Sequence, residues 1–162
     1  MKPNEVIFYL IGQITADVET YNWRKRMGKR FDEHEKIKLY DPCNYLFSKN
    51  VLLESQGKDD GLTKAVKLNS HSDILPVRDA SFVFSSDGAV ANLNIYNKEK
   101  GLLGTFFELA WYRMCPDKTV IGIYDGDPKT DLQCSHPFVW NAIHTWVKNE
   151  EEAGDLLLDF FG

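Results

Sequence analysis

The sequence predicts one doubly wound α/β domain, a mostly parallel sheet of about five strands with helices on both faces. Val6 to Ile11 and Thr119 to Tyr124 are short apolar runs rich in β-branched residues, as in strands covered on both faces. Stretches with apolar residues at helical spacing separate such runs, so the chain alternates β-α-β-α-β-α-β, the order of doubly wound flavodoxin-like and Rossmann-like sheets. Finally, 162 residues, 43% hydrophobic and 27% charged, suffice for one core and one domain, 1–162, without staples.

Each element has its own signal. Val6-Ile7-Phe8-Tyr9-Leu10-Ile11 is closed by Gly12 as a first buried strand. A helix follows from about Asp17 to Phe31, with Val18, Tyr21, Trp23 and Met27 as its apolar side. Ile37 to Tyr40 is a second strand, ended by Asp41-Pro42. Gly57 to Gly61 reads as a loop, with a possible helix over 62–68. Pro76 suits a helix start, with Val77, Ala80, Val83 and Phe84 recurring at three and four, and Asp87-Gly88 ends that helix. Ala89 to Leu93 is the third strand, Thr105 to Met114 a helix, and Thr119 to Tyr124 the fourth strand. The stretch Phe138 to Val147 fits an amphipathic helix or a helical turn and a short strand. The turn and strand are preferred because Asn149 is a good N-cap, with Glu150 to Glu152 behind it and an apolar stripe at Ala153, Leu156, Leu157, Phe160 and Phe161.

Composition excludes several functions. A net charge of -5 disfavours a nucleic acid polymer as partner. The basic cluster Arg24, Lys25, Arg26, Lys29 and Arg30 is mixed with Asp32, Glu33 and Glu35, so it reads as a solvated helix face. Cys43, Cys115 and Cys134 form neither a disulfide framework nor a zinc spacing, which fits a reducing, cytoplasmic setting. The first apolar run is too short for a membrane span and lacks the flanks of a signal peptide, so no membrane is expected. No GxGxxG or P-loop follows a strand, and the four histidines lack ligand spacing, so neither cofactor nor metal is expected.

In an open parallel sheet, ligands sit beyond the carboxyl ends of the strands. That places Gly12-Gln13, Asp41 to Asn44, Asn92 to Asn94 and Asp125 at one edge. The stretch Gly101 to Trp111, GLLGTFFELAW, brings a carboxylate, Glu108, to the same edge among Phe106, Phe107, Leu109, Ala110 and Trp111. Such a charge is costly unless used or solvated. With Tyr9 and Asp79 it forms an acidic, aromatic set suited to glycosyl chemistry, in which one carboxylate attacks or stabilises a sugar cation and another handles protons.

Several motifs resemble the nucleoside 2-deoxyribosyltransferases and the related nucleotide N-hydrolases. These are Tyr9-Leu10-Ile11-Gly12, Arg78-Asp79 with Ser86-Asp87 and the strand Ala89 to Asn94, and Gly104-Thr105-Phe106-Phe107-Glu108-Leu109-Ala110. His136-Pro137-Phe138 is similar to phage-type members. The resemblance implies Glu108 as nucleophile toward a deoxyribose, Tyr9 as the group orienting it, and Asp79 as the contact and proton donor to the base. It implies Gly12, Gln13, Asn44, Asn92, Asn94, Gly104 and Thr105 as substrate-binding positions. The implied reaction is deoxyribosyl transfer between nucleobases by double displacement; 5′-monophosphate N-hydrolysis and a non-catalytic nucleotide-binding module are the alternatives. Ile95 to Leu103 is longer than the corresponding family loop, and its Lys98 and Lys100 suit a 5′-phosphate. A homo-oligomer is expected, partly from the family and partly from Trp111, Tyr112, Trp140 and Trp146, which look exposed.

Overall fold

The computed structural model describes residues 5–15, 17–44 and 74–162. Its strands are β1 (Val6–Gly12), β2 (Ile37–Tyr40), β3 (Gly88–Asn92), β4 (Thr119–Ile123) and β5 (Thr145–Val147). Its helices are α1 (Glu19–Phe31), α2 (Ile74–Ser85), α3 (Leu103–Arg113), α4 (Pro137–Trp140) and α5 (Glu150–Phe161). The strands form one sheet in the order β2-β1-β3-β4-β5, every neighbouring pair parallel. This is the doubly wound α/β architecture that the alternating pattern predicts. The possible helix at 62–68 lies outside the described residues.

The pleat explains why β1 is apolar without interruption. Tyr9 and Ile11 point into one core cluster with Val83, Leu109, Tyr112 and Val139, whereas Phe8 and Leu10 point into another with Trp23, Met27, Phe31 and Leu157. Helices α2, α3 and α4 cover the first face; α1 and α5 cover the second. Gly88 opens β3 where a Cβ would fall 2.4 Å from the Thr119 carbonyl oxygen and 2.6 Å from Phe8 Cε1, so only glycine passes beneath Phe8. The carboxyl-terminal edge is in register, with Gly12 opposite Asn92 and Asn92 opposite Ile123.

Two helices are rotated relative to their sequence pattern. In α1 the buried arc is Thr20, Trp23, Arg24, Met27 and Phe31, while Val18 is 67% exposed. Arg24 therefore leaves the solvated basic face and enters the interior, where its guanidinium donates to the carbonyls of Gly12 (2.9 Å) and Thr20. Lys25, Arg26, Lys29 and Arg30 stay outside. Helix α2 starts two residues before Pro76 and buries Val83, leaving Val77 and Phe84 exposed; that turn brings Asp79 inward. Lys118 Nζ holds its last carbonyls, accepting positions being Val83, Phe84 and Ser86.

The tail resolves into the short α4, then β5, then α5, as the Asn149 signal indicates. Asn149 Oδ1 accepts the Glu152 N–H at 2.9 Å, a cap of about 1 kcal/mol, while the Glu152 carboxylate reaches back to Lys148 N at 2.8 Å. Outside α1 and α5, Arg26 pairs with Glu19 and Glu150, and Arg30 with Asp155. In the opposite layer Leu103, Phe107, Met114, Leu132 and Phe138 stand exposed. The aromatic residues named from sequence are not the exposed ones. Tyr112 is core, bonded to Ser86 and Gly88, and Trp140 stacks on Trp146 at 5.8 Å, both half-buried like Trp111. Among the described residues no helix is long and apolar enough to cross a membrane.

Candidate active site

From β1 the chain moves to β2 on one side, and β3 lies on the other. The loops leaving β1 and β3 therefore diverge, and the gap between them is the crevice in which such sheets bind ligands. A cleft of about 390 Å³ occupies it. Tyr9, Gly12 and Gln13 form the β1 side, Asp79 comes from α2, and Gly104, Thr105 and Glu108 come from the first turns of α3.

At its floor the Tyr9 hydroxyl donates to Glu108 Oε1 at 2.6 Å, joining residues 99 positions apart. Tyr9 is fully buried, its ring against Phe82. Burial pushes the Glu108 carboxyl up to about 8; the Tyr9 hydrogen bond opposes that rise and the nearby charge of Asp79 adds to it. The same burial, with Glu108 and Asp79 adjacent, raises Tyr9 so far that it stays a protonated donor. Asp79 is raised by burial too, against the pull of Arg78, whose Nε and Nη2 both donate to Asp79 Oδ1 at 2.9 and 2.8 Å. The floor thus holds two carboxyls that burial raises, one gripped by a phenol and one by a guanidinium.

Cations line the same cleft: Arg24, Arg78 and Lys100. Arg78 Nη1 is buried with no hydrogen-bond partner among the described residues. Helix α3 begins without a side-chain cap, and its first backbone bond, Phe106 N to Leu102 O at 2.9 Å, leaves the amides of Leu103, Gly104 and Thr105 outside the intrahelical ladder, beside the cleft. Arg24 is the residue the sequence reading misplaced, although its spacing from Thr20, Met27 and Phe31 already put it on the buried arc. Arg78 was named only as part of a motif, because an arginine beside an aspartate on a helix gives no sign of which way it points.

Other positions lie elsewhere. Asn92 is buried, donating to Tyr96 Oη at 2.9 Å and accepting from Asn94 N at 3.0 Å, so it shapes the loop after β3. Asn94 accepts from Asp125 N at 3.1 Å and, like Lys98, lines a separate depression beside Tyr124. Asn44 is exposed in a groove between α1 and β2. Asp87 is at the opposite end of the sheet, where it accepts from Ile7 N at 2.8 Å. Gln13 does line the cleft, but its amide is engaged: Oε1 accepts from Tyr96 N and Asn97 N, and Nε2 donates to Asn97 O and Lys100 O.

No family model and no curated protein matches the chain. Among solved structures, a conserved protein from Enterococcus faecalis V583 is similar, with a TM-score of 0.55 and 16% identity over 96% of this chain and 98% of that one. At that identity the likeness extends to the fold: a single five-stranded parallel α/β sheet flanked by helices.

Proposed function

We propose that this protein transfers a deoxyribosyl group between nucleobases, breaking and remaking the N-glycosidic bond of a 2′-deoxynucleoside with Glu108 as nucleophile. The observation that carries the reading is the 2.6 Å hydrogen bond between Tyr9 and Glu108 in a cleft that also holds Asp79. Burying a carboxylate there costs stability, and a protein that only bound nucleotides would have no use for it.

In the first step a Glu108 carboxylate oxygen bonds to C1′ while the C1′–N bond breaks, its electron pair leaving on the base. Asp79, whose burial favours taking up a proton, passes that proton to the departing base. In the second step a nitrogen of the incoming base bonds to C1′, the glycosyl ester opens, and Asp79 takes the proton that nitrogen sheds. Tyr9 holds the attacking oxygen in place throughout. A raised Glu108 means that the ionised nucleophile is scarce below about pH 8 in the free protein.

A second reading, hydrolysis of a deoxynucleoside 5′-monophosphate, is favoured by one feature: Arg78 Nη1, without a hydrogen-bond partner among the described residues, shares the cleft with Lys100 and the uncapped start of α3. The test is incubation with each of the four deoxynucleosides and their monophosphates, with and without a free acceptor base, following base exchange and free sugar by chromatography. Exchange supports the transferase, base release in water alone the hydrolase. Binding without turnover in the wild type would make the protein a nucleotide-binding module and remove the catalytic roles.

A homo-oligomer belongs to the same proposal, on grounds other than the tryptophans. Val77, Phe84, Leu103, Phe107, Met114, Leu132 and Phe138 expose 56% to 88% of their surface on or beside α2, α3 and α4. Seven large apolar side chains exposed to this extent present on the order of a standard interface's roughly 800 Å² per partner. A second copy of the chain is the occupant proposed, because an apolar face can pair with its own copy about a two-fold axis, whereas the outer face of α1 and α5 carries the Arg26 and Arg30 ion pairs. The cytoplasm is the compartment proposed, in keeping with three free thiols.

A further inference from the structure

The loop from β3 to α3 spans ten positions, 93–102, between Asn92 and Leu103. A connection of that length has no intrinsic reason to hold one shape. Yet it sets where α3 begins, and so where Glu108 stands relative to Tyr9 on β1.

One side chain from across the cleft grips it. Gln13, 4% exposed, accepts from Tyr96 N at 3.0 Å and Asn97 N at 2.9 Å, and donates to Asn97 O at 3.0 Å and Lys100 O at 2.5 Å. Two backbone donors and two backbone acceptors face it, which admits only one orientation of the amide and uses all four of these bonds. The backbone of Gln13 is held in turn from below. Arg24, its side chain wholly buried, donates to Gln13 O at 3.4 Å, Gly12 O at 2.9 Å and Thr20 O, stands 3.6 Å from Asp41 and lies over the Trp23 ring at 4.6 Å. A rigid chain of contacts thus runs from α1 through the β1 turn to the β3–α3 loop.

We infer that Gln13 is a positioning residue, a clasp that locks the Tyr96–Lys100 loop and thereby sets Glu108 against Tyr9, with Arg24 as its anchor, and that it does not bind substrate. The inference deepens the proposed function and rests on it only for the catalytic consequence; the clasp itself is a statement about the loop. A substrate group could not engage the amide without displacing one of four bonds to the backbone.

The test compares Gln13→Ala and Gln13→Glu with wild type in three readouts. The first is amide hydrogen exchange, in which the clasp requires Tyr96 and Asn97 to lose protection in Gln13→Ala by about tenfold or more, the scale of one broken hydrogen bond. The second is the carboxyl titration of Glu108 followed by carbon NMR. Its midpoint should fall in Gln13→Ala, because a loosened loop admits water and burial is the main cause of the rise. The third is turnover of the deoxynucleosides: kcat should fall with KM little changed. Gln13→Glu retains the volume and both acceptors but can donate only when protonated, so its loop protection should recover as pH is lowered, whereas that of Gln13→Ala should not. If Gln13→Ala does not fold, this pH-dependent recovery decides the matter alone. Unchanged exchange and Glu108 titration, or a variant whose only defect is a raised KM, would overturn the clasp and return Gln13 to the binding residues. If the wild type turns over no nucleoside, the proposed function fails while exchange and titration still judge the clasp.

Discussion

Replacing Glu108 by glutamine tests the central feature of the site without reference to any substrate. The amide oxygen still accepts from Tyr9, the volume is conserved, and only the ionisable proton is lost. In the folded protein Glu108 titrates at about 8 instead of 4.5, so between those values the unfolded chain releases a proton that the native state keeps. Native stability from this group therefore falls as pH rises from 4.5 to 8, and is level outside that window. At about 1.4 kcal/mol per pH unit the whole shift sets a ceiling near 5 kcal/mol. Because Glu108 is partly open to the cleft, about 3 kcal/mol is the expected size. The glutamine variant should match the wild type within about 1 kcal/mol near pH 4.5. It should then gain on it up to about pH 8, by roughly 6–12 °C in Tm for a chain of this size, and hold that lead above it. Urea or thermal unfolding at five pH values, with the difference plotted against pH, is the assay. A difference that does not change with pH, or a variant that weakens as pH rises, would refute the burial of an acid at this position. Activity should be lost at every pH, so that stability and function move in opposite directions.

Tyr9→Phe deletes the chief influence holding Glu108 down, so the carboxyl should titrate higher by about a pH unit and the rising limb of kcat/KM should move with it; an unmoved midpoint would mean the hydrogen bond is idle. Gly88→Ala places a methyl against the Thr119 carbonyl and Phe8, and should cost at least about 2 kcal/mol in urea unfolding; a loss under about 0.5 kcal/mol would contradict the close packing of β1 on β3. In sedimentation the wild type should run above 18.6 kDa at micromolar concentration and Phe107→Glu should run as the single chain, while wild type found only as the single chain would dismiss the apolar face as an interface.

Strand content was legible because a buried parallel strand must be apolar on both faces, and β1 and β4 announce that in six or seven letters. The five strands, their order along the chain and the Asn149 cap follow from such local rules. So does the gathering of Gly12, Asp41, Asn94 and Asp125 at one edge, since in a parallel sheet every strand ends on the same side. Tyr9 and Glu108 were singled out by composition and resemblance, yet nothing local says that residues 99 positions apart share a hydrogen bond.

Helix rotation was the part that sequence left open. The apolar positions of α2 favour burying Val77 and Phe84, but the packed helix exposes both and turns Asp79 inward, because the sheet offers its cavity beside Tyr9 and Phe82 and not beneath Val77. Arg24 looked like one charge of a solvated cluster; only the approach of the β1 turn supplies the carbonyls that let a guanidinium be buried. Gln13 could be marked as polar and near the site, but whether its amide faces a ligand or a loop depends on where the backbone of Tyr96 to Lys100 lies. By itself the sequence determined which segments are strands, at which edge they open, and that an acid sits in an apolar helix. The tertiary structure decided which side chains meet across that edge, since such meetings depend on helix rotation and loop path, each set by contacts between segments that no short window of sequence contains.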